Sequence, residues 1–140
     1  MATTHVLKDA YFMVNLVDLS AYIRSISFPL EQALVNATCM GDTYDEFLFG
    51  FKSGTFTIRF MQDFTAAKVD ATLWAVYDGA AKVAFVFKPN GSVTAVTNPK
   101  FTGYVILTSY QVVDGAAGVA AEVTANFNTS GAVARATADA

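Results

Sequence analysis

AKVAFVFKPNGSVTAVTNPKFTGYVILTSYQVVDGAAGVAAEVTANFNTSGAVA, residues 81–134, is the stretch whose reading decides the fold. Phe, Val, Tyr and Thr fill its runs, and Gly, Pro, Asn and Asp fill the breaks between them, the pattern of antiparallel β-structure. Only Lys82, Lys88, Lys100, Asp114 and Glu122 carry charge across it. So sparse a polar surface leaves a lone subunit incompletely covered. The stretch reads as part of a chain that finishes burying itself in an assembly.

The whole chain extends that impression. Its 140 residues suffice for one domain, 1–140, which would bury roughly 70% of its unfolded surface. Charged residues are 15% of the sequence, against about 25% in an ordinary soluble protein. Hydrophobic residues are 54%, with twelve Phe among them. A membrane helix needs about 20 mostly apolar residues, and Lys82 and Lys88 interrupt the best run. The opening MATTHVLKDAYF has neither the basic region nor the apolar core of a signal peptide, so outer-membrane insertion is not expected. The net charge of −3 and the scattered Lys and Arg argue against a nucleic-acid-binding surface.

Working outward, residues 1–10 read as a polar N-terminal arm and residues 11–17 as a strand followed by a turn or a short helical cap at Asp18-Leu19-Ser20. Residues 22–34 alternate, and Pro29 marks an edge, a bulge or a strand end. In residues 55–64 Phe56, Ile58 and Phe60 face one way and Thr57 and Arg59 the other. The period then changes: Val69, Leu73, Val76 and Tyr77 share one helical face, predicting a helix over 65–78 with Thr65 or Asp63 as N-cap and Gly79 just past its end. Pro89-Asn90-Gly91 predicts a tight hairpin to a strand starting near Ser92. Further strands are expected over 101–113 and 120–128, and a terminal one that Ser130-Gly131 begins and that ends near Ala138.

Residues 37–54 are the least regular part. They hold Asp42, Thr43, Tyr44, Asp45, Glu46, Phe47, Phe49 and Phe51 between glycines. Phe47 and Phe51 are four apart, which admits a helical turn capped by Asp42. A loop this long inside a β-domain is functional or disordered, and the aromatics argue against disorder. It reads as an inter-subunit contact loop.

No catalytic constellation can be built. His5 is the only histidine and lies in the arm; Cys39 is the only cysteine and reads as a buried structural thiol. Zinc-type ligand sets are absent, and Asp42, Asp45 and Glu46 lack the spacing of a calcium loop. Gly115 and Gly118 are followed by neither the lysine nor the helix of a phosphate loop. No catalytic group, cofactor or metal is expected.

The order of several short segments resembles the tail tube (major tail) proteins of long-tailed bacteriophages, particularly those infecting actinobacteria. The segments are Val17-Asp18-Leu19-Ser20-Ala21-Tyr22-Ile23, Gly41-Asp42-Thr43, Gln62-Asp63-Phe64, Val69-Asp70-Ala71-Thr72-Leu73-Trp74, Lys88-Pro89 with Thr97-Asn98-Pro99 and Phe101-Thr102-Gly103, and Ser130-Gly131-Ala132-Val133. They span roughly residues 11–137, and their order and spacing, rather than any one motif, carry the likeness. The resemblance implies a mostly β fold, an antiparallel β-sandwich or rolled barrel with one flanking α-helix. It implies hexameric rings stacked into a hollow tube, contacts with other tail proteins, and DNA passing through the lumen without specific binding. It also implies a virion tail component assembled in the host bacterial cytoplasm, with no membrane partner. Type VI secretion tube proteins look similar in fold. Two other readings stay open: a tail terminator or other single-ring virion protein, and a soluble ligand-binding β-barrel whose aromatics line a cavity.

Overall fold

In the computed structural model, residues 8–95 and 98–138 are described. The expected N-terminal arm, with His5, falls largely outside the described residues. Nine strands form one sheet: β1 Tyr11–Val14, β2 Val17–Asp18, β3 Ile23–Ser27, β4 Leu30–Asn36, β5 Phe47–Met61, β6 Val83–Lys88, β7 Lys100–Tyr110, β8 Glu122–Thr129 and β9 Ala134–Ala136. A 3-10 turn lies at Ser20–Tyr22 and the helix α1 at Val69–Gly79. The strand order is β2-β1-β6-β7-β8-β5-β3, with β4 pairing β5 and β9 pairing β7, all antiparallel.

The sheet rolls on itself. Phe12 of β1 packs its ring 5.3 Å from Phe56 of β5 and 6.0 Å from Phe127 of β8, although neither strand neighbours β1 in the ladder. Phe28, just after β3, stacks on Phe56 at 3.8 Å and meets Phe85, Phe87 and Phe101 edge-on. Phe12, Phe56, Phe60 and Phe127 are fully buried, each worth about 1.5–3 kcal/mol of hydrophobic transfer. The aromatics of the barrel thus fill its interior instead of lining a cavity.

α1 closes the roll against β7 through Val69, Thr72, Leu73 and Val76. Tyr77, expected on that stripe, is half exposed: at about 100° per residue it falls at the stripe's margin, where it packs on Trp74. The helix starts at Val69, four residues later than expected. Asp63 accepts the Thr65 N–H at 2.9 Å in a local turn, and its carboxyl sits below its ordinary range chiefly through the Thr65 hydrogen bonds. Lys68 holds the N-cap position without a side-chain cap, and Ala80, not Gly79, takes the left-handed conformation at the helix end.

Several strand boundaries also differ from expectation. The chain reverses at Asn15 and Leu16, both at positive φ, so residues 11–17 are two strands of a tight hairpin. Pro29 separates β3 from β4, a strand end as expected of it. The Asn90-Gly91 hairpin does not form, and β7 begins only at Lys100. The reason is Asn98, which is buried: its amide donates to the carbonyls of Asn90, Ser92 and Val93 while its oxygen accepts the Asn90 N–H at 3.2 Å. One side chain thereby holds a longer connection closed. Among the described residues no helix is long and apolar enough to cross a membrane.

Candidate assembly surface

The segment expected as a loop over 37–54 is mostly ladder. β4 pairs with the first half of β5, from Leu30 opposite Gly54 to Asn36 opposite Phe47, with a bulge between Gln32 and Leu34. Only residues 37–46 are irregular, and no helical turn forms there. Ala37 N–H donates to the Glu46 carbonyl at 2.8 Å, and the Thr38 hydroxyl accepts the Glu46 N–H at 2.8 Å. Asp42 accepts the Cys39 N–H at 2.7 Å, closing a turn instead of capping a helix. Asp45 accepts from the Thr38 hydroxyl at 3.5 Å. These acids are engaged with the loop's own backbone and hydroxyls, and Thr43 and Tyr44 sit exposed beside them. Among the described residues no group of three His, Cys, Asp or Glu side chains is placed to hold a metal ion. Cys39 is exposed in this turn, contrary to its reading as a buried thiol.

The ribbon is apolar on both faces. A strand alternates its side chains, so Phe47 and Phe49 share one face, where Phe49 lies opposite Leu34, and the bulge interrupts the alternation before Phe51. Leu48 lies opposite Val35 on the other face, beside Gly50, whose position close to Ala33 leaves only 3.1 Å for a Cβ. Phe51 is 94% exposed and Phe49 75%. A two-stranded ribbon is marginal in water, and one with grease on both sides has no face to turn to solvent. At its base an open cleft of about 930 Å³ is lined by Leu30, Gly50, Phe51, Phe101, Val133 and Arg135. Period-two alternation alone did not reveal this ribbon, because both of its faces are apolar. The signal that identified the segment was its aromatic count.

The outward face of β3, β8 and the second half of β5 is opposite in kind. Cross-strand pairs there are Thr57 with Asn126 at 3.0 Å and Thr55 with Asn128 at 3.3 Å. Ser25 and Ser27 of β3 stand opposite Arg59 and Thr57. Glu122 pairs with Arg24 at 3.2 Å and with Arg59. This face is hydrophilic and almost neutral.

Below it, the end of β5 is tied to α1. Tyr110 donates its hydroxyl to Asp70 at 2.7 Å and accepts from the Gln62 amide at 3.2 Å. Burial, then the Asp70 hydrogen bond, pushes the phenol up to about 12. Gln62 and Asp70 belong to two of the segments that carry the likeness, and their role here is structural.

No protein-family model and no curated protein matches the chain. Solved structures do. A chain of the virion of a native gene transfer agent particle superposes with a TM-score of 0.73 at 15% identity, covering 91% of this chain and 95% of that one. A chain from the SPP1 tail tube gives 0.71 at 9% identity, over 94% of this chain and 78% of that one. A chain from the tail of an empty gene transfer agent particle, refined with C6 symmetry, gives 0.66 at 14% identity over 81% of each. The fold is therefore that of tail-tube chains: mostly β, antiparallel and rolled, with one helix.

Proposed function

We propose that this chain is the structural subunit of a phage tail tube, in which copies join into hexameric rings that stack into a hollow conduit for DNA. Its place would be the virion tail, assembled in the host cytoplasm, with other tail proteins at the tube's ends. The observation that carries the reading is the β4–β5 ribbon, apolar on both faces and uncovered by its own subunit. A neighbouring copy would supply the cover, and a head-to-tail contact of unlike patches repeats without limit or closes into a ring. The C6 symmetry of the gene transfer agent tail supports six copies per ring. The ribbon with its turn, including Asp42, Thr43, Tyr44, Asp45, Glu46, Phe47, Phe49 and Phe51, would form the contact between subunits.

The hydrophilic face suits the opposite role. Interfaces are enriched in aromatics and depleted in Ser and acidic side chains, so the Ser, Thr and Asn face of β3, β5 and β8 is poor contact surface. We assign it to the lumen, where a channel must not hold its cargo. The function itself is geometric, and no reacting group is required.

The test is a truncation that preserves register. Gln32 lies opposite Lys52, so replacing residues 33–51 with Asn-Gly rejoins the strands through a two-residue turn. The shortened chain is expected to fold and stay dispersed, while the full chain forms tubes in negative-stain electron microscopy. Normal tubes from the truncated chain overturn the proposal. Single rings that never stack, from the full chain, replace it with a tail-terminator role.

A further inference from the structure

The proposed lumen face carries three charges, and they are arranged as one unit. Arg24 reaches the face through the bulge between Ile23 and Ser25, Arg59 stands on β5, and Glu122 opens β8. One carboxylate oxygen of Glu122 meets the Arg24 guanidinium at 3.2 Å and the other meets Arg59. The glutamate side chain is 19% exposed, against 55% and 47% for the two arginines, so it lies beneath both. No other Lys or Arg occurs in β3, β8 or the second half of β5. Their remaining outward side chains are neutral and largely bonded to one another.

We infer that Glu122 is a charge mask, which keeps Arg24 and Arg59 from gripping the phosphate backbone of nucleic acid passing over this face. The inference rests on the tube reading given above. An exposed ion pair adds little to stability, so a glutamate shared between two arginines is better explained by what it hides. Two guanidiniums against one carboxylate leave a single net positive charge; without the carboxylate there are two. Repeated around each ring and along the stack, paired guanidiniums would form a cationic wall. Phosphate contacts release counterions and hold DNA strongly at low salt. Each arginine also gives one guanidinium nitrogen to Glu122, which opposes its swinging out onto a phosphate.

The test compares Glu122→Gln with Asp78→Asn, which removes the same charge from the exposed end of α1. Tubes of each are sedimented with short duplex DNA at low salt. Glu122→Gln tubes are expected to retain the DNA at least about tenfold better than wild type, with the gain vanishing as salt rises. Asp78→Asn tubes should match wild type. Dispersed chains on immobilised duplex DNA give a second readout, which needs no assembly. There Glu122→Gln should elute at higher salt than Asp78→Asn. Equal retention by tubes, or co-elution of the dispersed variants, overturns the mask while leaving the tube reading intact. Failure of the wild-type chain to form tubes instead overturns the tube reading.

Discussion

From Thr55 to Met61, β5 buries Phe56, Ile58 and Phe60 and turns Thr57 and Arg59 outward; from Phe47 to Gly54 the same strand leaves nearly every side chain uncovered. Hydrogen bonding separates the halves in part, since 47–54 is laddered along one edge by β4 while 55–61 is laddered by β8 and, over 57–60, by β3 as well. The larger difference is the second layer. The latter half packs against β1, Phe28 and β6 across the roll. The former half has only β4, a strand as exposed as itself. A strand can thus be laddered and still lack most of its stabilisation, because side-chain burial more than the ladder decides which part stands alone.

Substitutions along β5 should make the contrast quantitative. Phe56→Ala removes a buried ring and is expected to cost about 3–5 kcal/mol in urea unfolding of dispersed chains. Phe49→Ala on the ribbon should change that stability by less than about 0.5 kcal/mol while blocking tube formation. Equal costs at the two positions would erase the distinction. Gly54 marks the junction, where a Cβ would sit 2.8 Å from the Leu30 Cδ2 and 3.1 Å from the Phe28 ring. Gly54→Ala should therefore cost about 1–3 kcal/mol by overpacking.

A small counterpart of the ribbon lies at the β1–β2 turn, where Leu16 is 82% exposed at φ 64°. Leu16→Gly relieves the left-handed conformation and should stabilise the dispersed chain by about 0.5–1 kcal/mol, measured by the same unfolding curves. The smallest effect belongs to the anchored end of β5. The Tyr110 phenol is raised from 10.0 to about 12, so the folded chain holds a proton that the unfolded chain releases first. That contribution is fully present below pH 10 and is lost as the pH rises through 12. Stability should fall across this window, and Tyr110→Phe should flatten the fall.

The buried half of β5 was legible in the sequence, because alternation reports a strand with one wet face and one dry face. Val69, Leu73 and Val76 marked the helix for the analogous reason. The ribbon hid its strands because alternation disappears when both faces are apolar. Gly50 and Gly54 look like turn signals, yet here they permit close approach to Ala33 and to Leu30 and Phe28. Asn90-Gly91 looked like a hairpin because the rule is local, whereas the hydrogen bonds of Asn98 come from eight residues further on. The Arg24, Arg59 and Glu122 unit was illegible, since only strand register brings residues so far apart in sequence together.

The central claim is that the ribbon is covered by other copies of the chain and by nothing of its own. Amide hydrogen exchange, followed on dispersed chains and again on tubes, tests it most directly. The account predicts rapid exchange over 30–36 and 47–54 in dispersed chains, strong protection of the same amides in tubes, and protection of 55–61 in both. Equal and strong protection of 47–54 in dispersed chains would contradict it, because the ribbon would then need no neighbour.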